Sequence, residues 1–350
     1  MWSQVRELAP PASRLPAPGE LAARHPAPEP VRAGISRARR AVRDILHGAD
    51  ARRLLVVAGP CSVHDPEAAL DYAVRLRGVA DRTRDALLVV MRTYVEKPRS
   101  TTGWKGLVND PDLDGRCDVA RGLSLSRELL RGVGELGLPC ASELLDPLAA
   151  RYLEDLLSWG CIGARTAGSQ PHRELASGAP MPVGFKNGLD GNVGTALEGL
   201  ASAGRPHAFL GVDAAGAATL VRTAGNPDGH VVLRGGAGVP NYDPESVAWA
   251  CARAGQLGLG RGVLVDCSHG NSHKDHRLQA RACRAVLEQW RRGQRGVAGL
   301  MLESYLEAGR QTWSTASRPR RDLSITDACI GWGETEDLLG EIAETVRATG

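Results

Sequence analysis

Short, almost wholly apolar runs recur along this chain, separated by longer stretches whose apolar residues fall every three or four positions. The runs at 54–59, 86–92, 138–143, 161–165, 182–186, 206–212, 230–234, 262–268 and 297–303 have the length and continuity of buried strands. The stretches at 66–80, 119–136, 147–158, 192–203, 244–257, 274–292 and 335–348 predict amphipathic helices, and one more is expected at 35–47. Such alternation makes a parallel sheet with helical crossovers. Nine runs are one too many for a (β/α)8 barrel, so we read 206–212 and 230–234 as one barrel strand interrupted by a hairpin around Ala214–Gly229. The expected fold is α/β, a TIM (β/α)8 barrel at 51–350 with a small β-hairpin insertion, preceded by an N-terminal arm and helix at 1–50. Prolines at 10, 11, 16, 18, 26, 28 and 30 exclude a continuous helix in the arm, which reads as extended to about residue 33.

Polar residues punctuate this pattern at one place in particular. Arg92, Glu143, Arg165, Lys186, Arg234, His269 and Glu303 each stand at or just past the end of an apolar run. The C-terminal ends of barrel strands are where such enzymes carry their chemistry. A doubly wound sheet also binds at strand ends, but at a single switch point, and would not need so many.

Composition narrows the class. A hydrophobic share of 43%, a charged share of 24% and a net charge of +3 are those of a soluble globular protein and give no footprint for nucleic acid. No stretch approaches the roughly 20 apolar residues of a membrane span, and the N-terminus lacks a secretory apolar core. A cytoplasmic protein with reduced cysteines is therefore expected, its eight cysteines being scattered singly. Of 43 basic residues four are lysines, at 97, 105, 186 and 274. In so arginine-rich a chain a lysine marks a task needing a compact, titratable ammonium, with Lys274 also compatible with ordinary surface.

Two clusters follow if the strands share a rim. Cys61, His269, Glu303 and Asp327 offer a thiolate, an imidazole and two carboxylates, a mixed donor set for a borderline divalent ion. Arg92, Lys97, Arg165, Lys186 and Arg234 would converge beside them, with Arg99 close by. Like charges gather at such a cost only where a multiply charged anion offsets it, and a phosphorylated carboxylic acid fits. Taken singly, a strand-end arginine is more often a surface ion-pair partner.

Several longer stretches resemble one family. Gly59-Pro60-Cys61-Ser62-Val63-His64-Asp65, Glu96-Lys97-Pro98-Arg99-Ser100, Gly103-Trp104-Lys105-Gly106, Ile162-Gly163-Ala164-Arg165-Thr166, Pro182-Val183-Gly184-Phe185-Lys186-Asn187-Gly188, Leu233-Arg234-Gly235-Gly236, Asp266-Cys267-Ser268-His269 and Ser324-Ile325-Thr326-Asp327-Ala328-Cys329-Ile330-Gly331-Trp332 are similar to type I 3-deoxy-D-arabino-heptulosonate 7-phosphate (DAHP) synthases. The resemblance spans nearly the whole chain and is weakest before about residue 35. It implies condensation of phosphoenolpyruvate with D-erythrose 4-phosphate, the entry step of the shikimate pathway, by a homodimer or homotetramer. It assigns metal ligation to Cys61, His269, Glu303 and Asp327, with Mn2+ expected to serve in vitro and Fe2+, Co2+ or Zn2+ as other candidates. It places Arg92, Lys97, Glu143, Arg165, Lys186 and Arg234 around phosphoenolpyruvate. Pro98, Arg99, Ser100 and Asp327 fall to erythrose 4-phosphate, Ser100 standing where the family more often has Thr. Lys97 is the expected proton donor, its pKa lowered by neighbouring cations. Cys61 and His269 complete the catalytic set, and the base that activates water is left open.

The resemblance also carries departures. Regulated members line their inhibitor pocket with a Gln where this chain has Arg151 and with serines where it has Pro180 and Gly211, while Phe209 and Val221 match. No Asp precedes Asp44 in the arm. Weak or absent inhibition by phenylalanine or tyrosine is therefore expected. Cys329, two residues past Asp327, is a candidate to pair with Cys61 on oxidation when the metal is lost, or else a buried free thiol. The rival readings are a sister synthase using arabinose 5-phosphate, a class II aldolase, and a non-catalytic regulatory barrel. The segment after Lys97 disfavours the first, and the complete ligand set disfavours the last.

Overall fold

A computed structural model describes residues 13–259 and 262–349. Eight parallel strands close into a barrel. In chain order they are β1 (Leu54–Gly59), β2 (Leu87–Arg92), β3 (Cys140–Glu143), β4 (Trp159–Ile162), β5 (Val183–Lys186), then β8 (His230–Leu233), β9 (Val263–Asp266) and β10 (Val297–Glu303), with β6 (Ala208–Val212) and β7 (Ala218–Arg222) forming a separate antiparallel pair. Each barrel strand is followed by a helix: α3 (Pro66–Thr83), α4 (Val119–Glu135), α5 (Pro147–Leu153), α6 (Gln170–Gly178), α7 (Gly194–Ala203), α8 (Pro244–Gln256), α9 (Gln279–Arg291) and α10 (Trp332–Thr349). Preceding them are α1 (Pro18–Arg24) and α2 (Glu29–Leu46).

The barrel strands are buried at nearly every residue, as their unbroken apolar runs require. Asp-Pro pairs start three of the helices. The carboxylates of Asp65, Asp146 and Asp243 accept from backbone N–H groups of the first turn, while Pro66, Pro147 and Pro244 occupy positions whose N–H would be unpaired anyway.

Three expectations need correction. Residues 206–212 are not half of a barrel strand: β6 pairs with β7 outside the barrel, and β8 alone fills the place. The exposure of 208–212 alternates, with Leu210 outward, a half-covered period-two pattern that a strand buried on both faces does not show. The arm is not extended over its described part, because α1 and α2 each take a proline into the first turn, where it breaks no hydrogen bond. Its residues 1–12 lie outside the described residues. Finally, α6 was absent from the predicted elements because little beyond Leu175 and Ala176 gives it an apolar stripe. The fourth barrel strand correspondingly starts at Trp159, so Arg165 sits in the turn beyond it rather than at its end.

The far half of α2 seals the barrel's base. Val42, Ile45 and Leu46 pack with the inward-facing Leu55, Val57, Trp159, Leu264 and Met301. Asp228, just before β8, receives Arg43 at 2.7 Å and lies 3.0 Å from His47, and Arg39 donates to the carbonyl of Leu157 just before β4. The opposite end is left for chemistry.

Candidate active site

Glu303 and Gly59 are partners in register on β10 and β1, so the turn after Gly59 delivers Cys61 beside Glu303. Gly59 is required there: a Cβ would lie 2.5 Å from the carbonyl oxygen of Arg92. The loop bearing Asp327 is fastened to the same turn, Ser62 Oγ meeting Thr326 Oγ1 at 2.7 Å and the Asp327 N–H donating to Cys61 Sγ at 3.4 Å. Ligand atoms of Cys61, Glu303 and Asp327 consequently lie within 4.8 Å of one another. His269 stands at the edge of this group, its Nε2 3.6 Å from a Glu303 oxygen, on a left-handed backbone with φ of 57°. Sulfur, carboxylate and imidazole donors at this spacing fit a divalent ion of borderline softness.

Arg92, fully buried, braces the cluster. Its guanidinium donates to the carbonyls of Pro60 and Cys61 at 2.9 and 3.1 Å and to Glu303 at 2.8 Å, and stacks 3.6 Å over the Tyr94 ring. Lys97 Nζ reaches both Cys61 Sγ and Asp327 Oδ2 at 2.8 Å. Burial alone would lower its pKa, but Cys61, Asp327 and Glu303 outweigh that and hold it above the usual lysine value. This corrects the expectation of a lowered pKa: the groups nearest the ammonium are anionic or acidic, not the cations along the rim. The Lys97 ammonium in turn holds the Asp327 carboxyl far below the usual range. Burial, aided by Glu303, pushes the Cys61 thiol up to about 12.

Arg92, Lys97, Pro98, Arg99, Ser100, Glu143, Arg165, Lys186, Arg234, His269, Glu303 and Asp327 all line one cavity of about 430 Å³. Every residue assigned from the sequence to catalysis, the metal or the two substrates, except Cys61, borders it directly, and Cys61 lies behind Lys97. Arg165 Nε donates to Ser100 Oγ at 3.1 Å, joining the two parts of the cation bowl. Burial lowers the pKa of Arg234, and one oxygen of buried Glu143 has no hydrogen-bond partner. Thr101, Thr102, Lys274, His276, Gln279 and Arg310 share the lining and had not been assigned to it.

Asp266 was also passed over, although it carries the same signal as Lys186: a charged residue closing a buried strand. It is fully buried, with Lys186 Nζ at 2.8 Å and His269 Nδ1 at 3.0 Å. Burial would raise its carboxyl, but the Lys186 ammonium foremost, and then the neighbouring His269 ring, hold it well below the ordinary value.

Cys329 is buried, and its sulfur accepts from the Cys61 N–H at 3.4 Å, both thiols being free. Arg151, Phe209, Gly211 and Val221 line a second cavity, of about 670 Å³, between α5, α6 and the β6–β7 hairpin; Pro180 does not border it. Among the described residues no helix is long and apolar enough to cross a membrane.

Comparison with known proteins agrees with this geometry. The DAHP synthetase I family model matches residues 29–340. The Tyr-sensitive phospho-2-dehydro-3-deoxyheptonate aldolase of Escherichia coli (strain K12) is 49% identical over 337 residues, covering 95% of this chain and 93% of the relative. The Trp-sensitive enzyme of Enterobacter agglomerans is 48% identical, covering 94% of each. The solved phospho-2-dehydro-3-deoxyheptonate aldolase of Francisella tularensis SCHU S4 superposes with a TM-score of 0.94 at 40% identity, over 97% of this chain and 99% of that one. A barrel whose rim joins a thiol–carboxylate–imidazole group to a bowl of cations, with matches of this extent, belongs to the DAHP synthetase I family.

Proposed function

We propose that this chain is a metal-dependent DAHP synthase, condensing phosphoenolpyruvate with D-erythrose 4-phosphate and water to give DAHP and inorganic phosphate, the first step of aromatic biosynthesis. The observation that carries it is the joint lining of one cavity by Arg165, Lys186 and Arg234 and by the donor group of Glu303, Asp327 and His269. One half suits a polyanion, the other a divalent cation.

Arg92, Lys97, Arg165, Lys186 and Arg234 hold phosphoenolpyruvate, with Glu143 beside it; Pro98, Arg99, Ser100 and Asp327 hold the aldose phosphate. Bidentate arginines suit the phosphate and carboxylate oxygens. A divalent ion held by Cys61, His269, Glu303 and Asp327 would polarise the aldehyde. C3 of phosphoenolpyruvate bonds to the aldehyde carbon, and the proton that neutralises the new alkoxide comes from Lys97, an ammonium 2.8 Å from Asp327. Water supplies the new oxygen at C2, and cleavage of the C2–O bond of the resulting hemiketal phosphate releases inorganic phosphate. Mn2+ is the metal we expect to serve in vitro, with Fe2+, Co2+ and Zn2+ as alternatives that the mixed donor set also suits. A homodimer or homotetramer is the proposed assembly, supported by outward Leu210 and Leu220 paired across the hairpin. A cytoplasmic setting matches the unpaired thiols.

The test is direct. Purified protein with Mn2+ and both substrates should release one phosphate for each phosphoenolpyruvate consumed, lose that activity in chelator and regain it with Mn2+. Arabinose 5-phosphate should not replace the four-carbon sugar. Phosphate release that does not require erythrose 4-phosphate would contradict the assignment.

A further inference from the structure

The Asp266 carboxylate serves two ligand sites with one oxygen. Its Oδ2 accepts from Lys186 Nζ at 2.8 Å and lies 3.0 Å from His269 Nδ1. Its Oδ1 accepts from the hydroxyl of Ser268 at 2.6 Å and from the Ser268 N–H at 3.0 Å. With its proton turned to Asp266, Ser268 Oγ can only accept from His269 Nδ1, 2.6 Å away. His269 therefore carries its proton on Nδ1 and presents the Nε2 lone pair toward Glu303. The Lys274 N–H, donating to the His269 carbonyl at 2.7 Å, and the left-handed backbone fix the residue that bears the ring. No water reaches this carboxylate, which has zero exposed side-chain area, so its two partners share a fixed amount of negative charge.

We propose that Asp266 is a positioning residue that couples the two halves of the site, making anion binding at Lys186 and metal binding at His269 mutually reinforcing. An anion drawing the Lys186 ammonium toward itself leaves the carboxylate less neutralised; Oδ1 then pulls harder on the Ser268 hydroxyl, whose oxygen accepts the Nδ1 proton more strongly, while Oδ2 attracts that proton from 3.0 Å. That enriches Nε2 and strengthens it as a ligand, as hydrogen-bonded carboxylates do behind metal-bound imidazoles. In the other direction, a metal on Nε2 makes the Nδ1 proton more acidic, draws Asp266 toward it, and frees Lys186 for the anion. Linkage requires both directions to have the same magnitude. This inference rests on the proposed function for the identity of the two ligands.

The experiment measures Mn2+ binding by electron paramagnetic resonance with and without saturating phosphoenolpyruvate, omitting erythrose 4-phosphate so that nothing turns over. The wild-type Kd for Mn2+ is expected to tighten about fivefold or more on adding phosphoenolpyruvate, within the usual span of such couplings. In Asp266→Asn both ligands should still bind, more weakly, with the ratio of the two Kd values falling close to one. A ratio of one in the wild type, or a wild-type ratio kept in Asp266→Asn while both affinities drop together, overturns the proposal; the latter is what a merely structural role would give. Should Asp266→Asn not fold, the wild-type protein loaded with Zn2+ and labelled with 15N-histidine decides: the His269 Nδ1 resonance, assigned by its loss in His269→Gln, must move as phosphoenolpyruvate is added. A stationary resonance overturns the coupling. Failure of phosphoenolpyruvate to bind the wild-type protein would instead count against the function proposed above.

Discussion

Lys97 and its neighbour Glu96 show how adjacent residues divide between chemistry and stability. Lys97 is held as an ammonium by Cys61 and Asp327, so it carries the proton that the proposed reaction asks of it. Lys97→Met should fold normally and lower kcat by at least about a hundredfold, the usual scale of a lost general acid, with far less effect on phosphoenolpyruvate binding measured without turnover. Glu96 points away into a buried place beside Asp146, and burial first, then that carboxylate, raises its pKa to about 8. A raised carboxyl is protonated in the folded state where the unfolded chain has already lost its proton, between pH 4.5 and 8. Stability from this residue therefore falls as pH rises through that window. Below pH 6.5 His230, lowered to about 4 by burial, works in the opposite direction, since the unfolded chain then binds the extra proton. The Glu96 effect is left uncovered above that point. Glu96→Gln should thus gain stability relative to wild type between pH 6.5 and 8, by up to about 1.4 kcal/mol per pH unit. Denaturant midpoints at both pH values would show it, and a difference that does not grow with pH would contradict it. At this scale the sequence was legible at several charged residues that close a buried run, as for Glu143, Lys186 and Glu303. It was not legible where the role comes from sharing, as with Asp266, because Lys186 reaches Oδ2 only once β5 and β9 are brought together across β8, while His269 folds back from the loop after β9.

At the scale of elements, what could be read was whatever is dictated by full burial. The barrel strands announced themselves as continuous apolar runs, and the Asp-Pro starts of α3, α5 and α8 are explicit. The misread segments are those half covered or short: β6 was mistaken for barrel because its residues are apolar in composition, although only alternate ones face the body of the protein. In α2, breaking the link to Asp228 should loosen the base of the barrel. Asp228→Ala leaves Arg43 and His47 without their shared partner. Because Arg43 is half exposed, we expect a loss of only about 1–2 kcal/mol, seen as a Tm lower by a few degrees with kcat intact. The hairpin makes a separate prediction. Leu210 is 82% exposed and Leu220 58%, and if this face lies between subunits, Leu210→Glu should shift the assembly to a smaller species in light scattering. An unchanged mass would remove the hairpin from the interface.

For the whole molecule, regulation is the property on which the relatives and this chain's own residues pull apart. The Escherichia coli and Enterobacter agglomerans relatives are described as Tyr-sensitive and Trp-sensitive. Here the cavity beside the hairpin has Arg151 paired with Glu154 across its wall, and a Cβ on Gly211 would come within 2.6 Å of Val221, so a serine there would need Val221 to move. We therefore expect millimolar phenylalanine or tyrosine to leave the initial rate nearly unchanged. Inhibition at micromolar concentration would show that the cavity still accepts these amino acids.

The plug formed by Val42, Ile45 and Leu46 has a practical corollary. It packs under the barrel, away from the rim that carries Cys61 and Lys97, so cold- or heat-adapted versions of this catalyst can be sought by changing α2 itself, leaving turnover chemistry alone. Selection for tolerance to temperature and selection for rate would act on opposite ends of one cylinder.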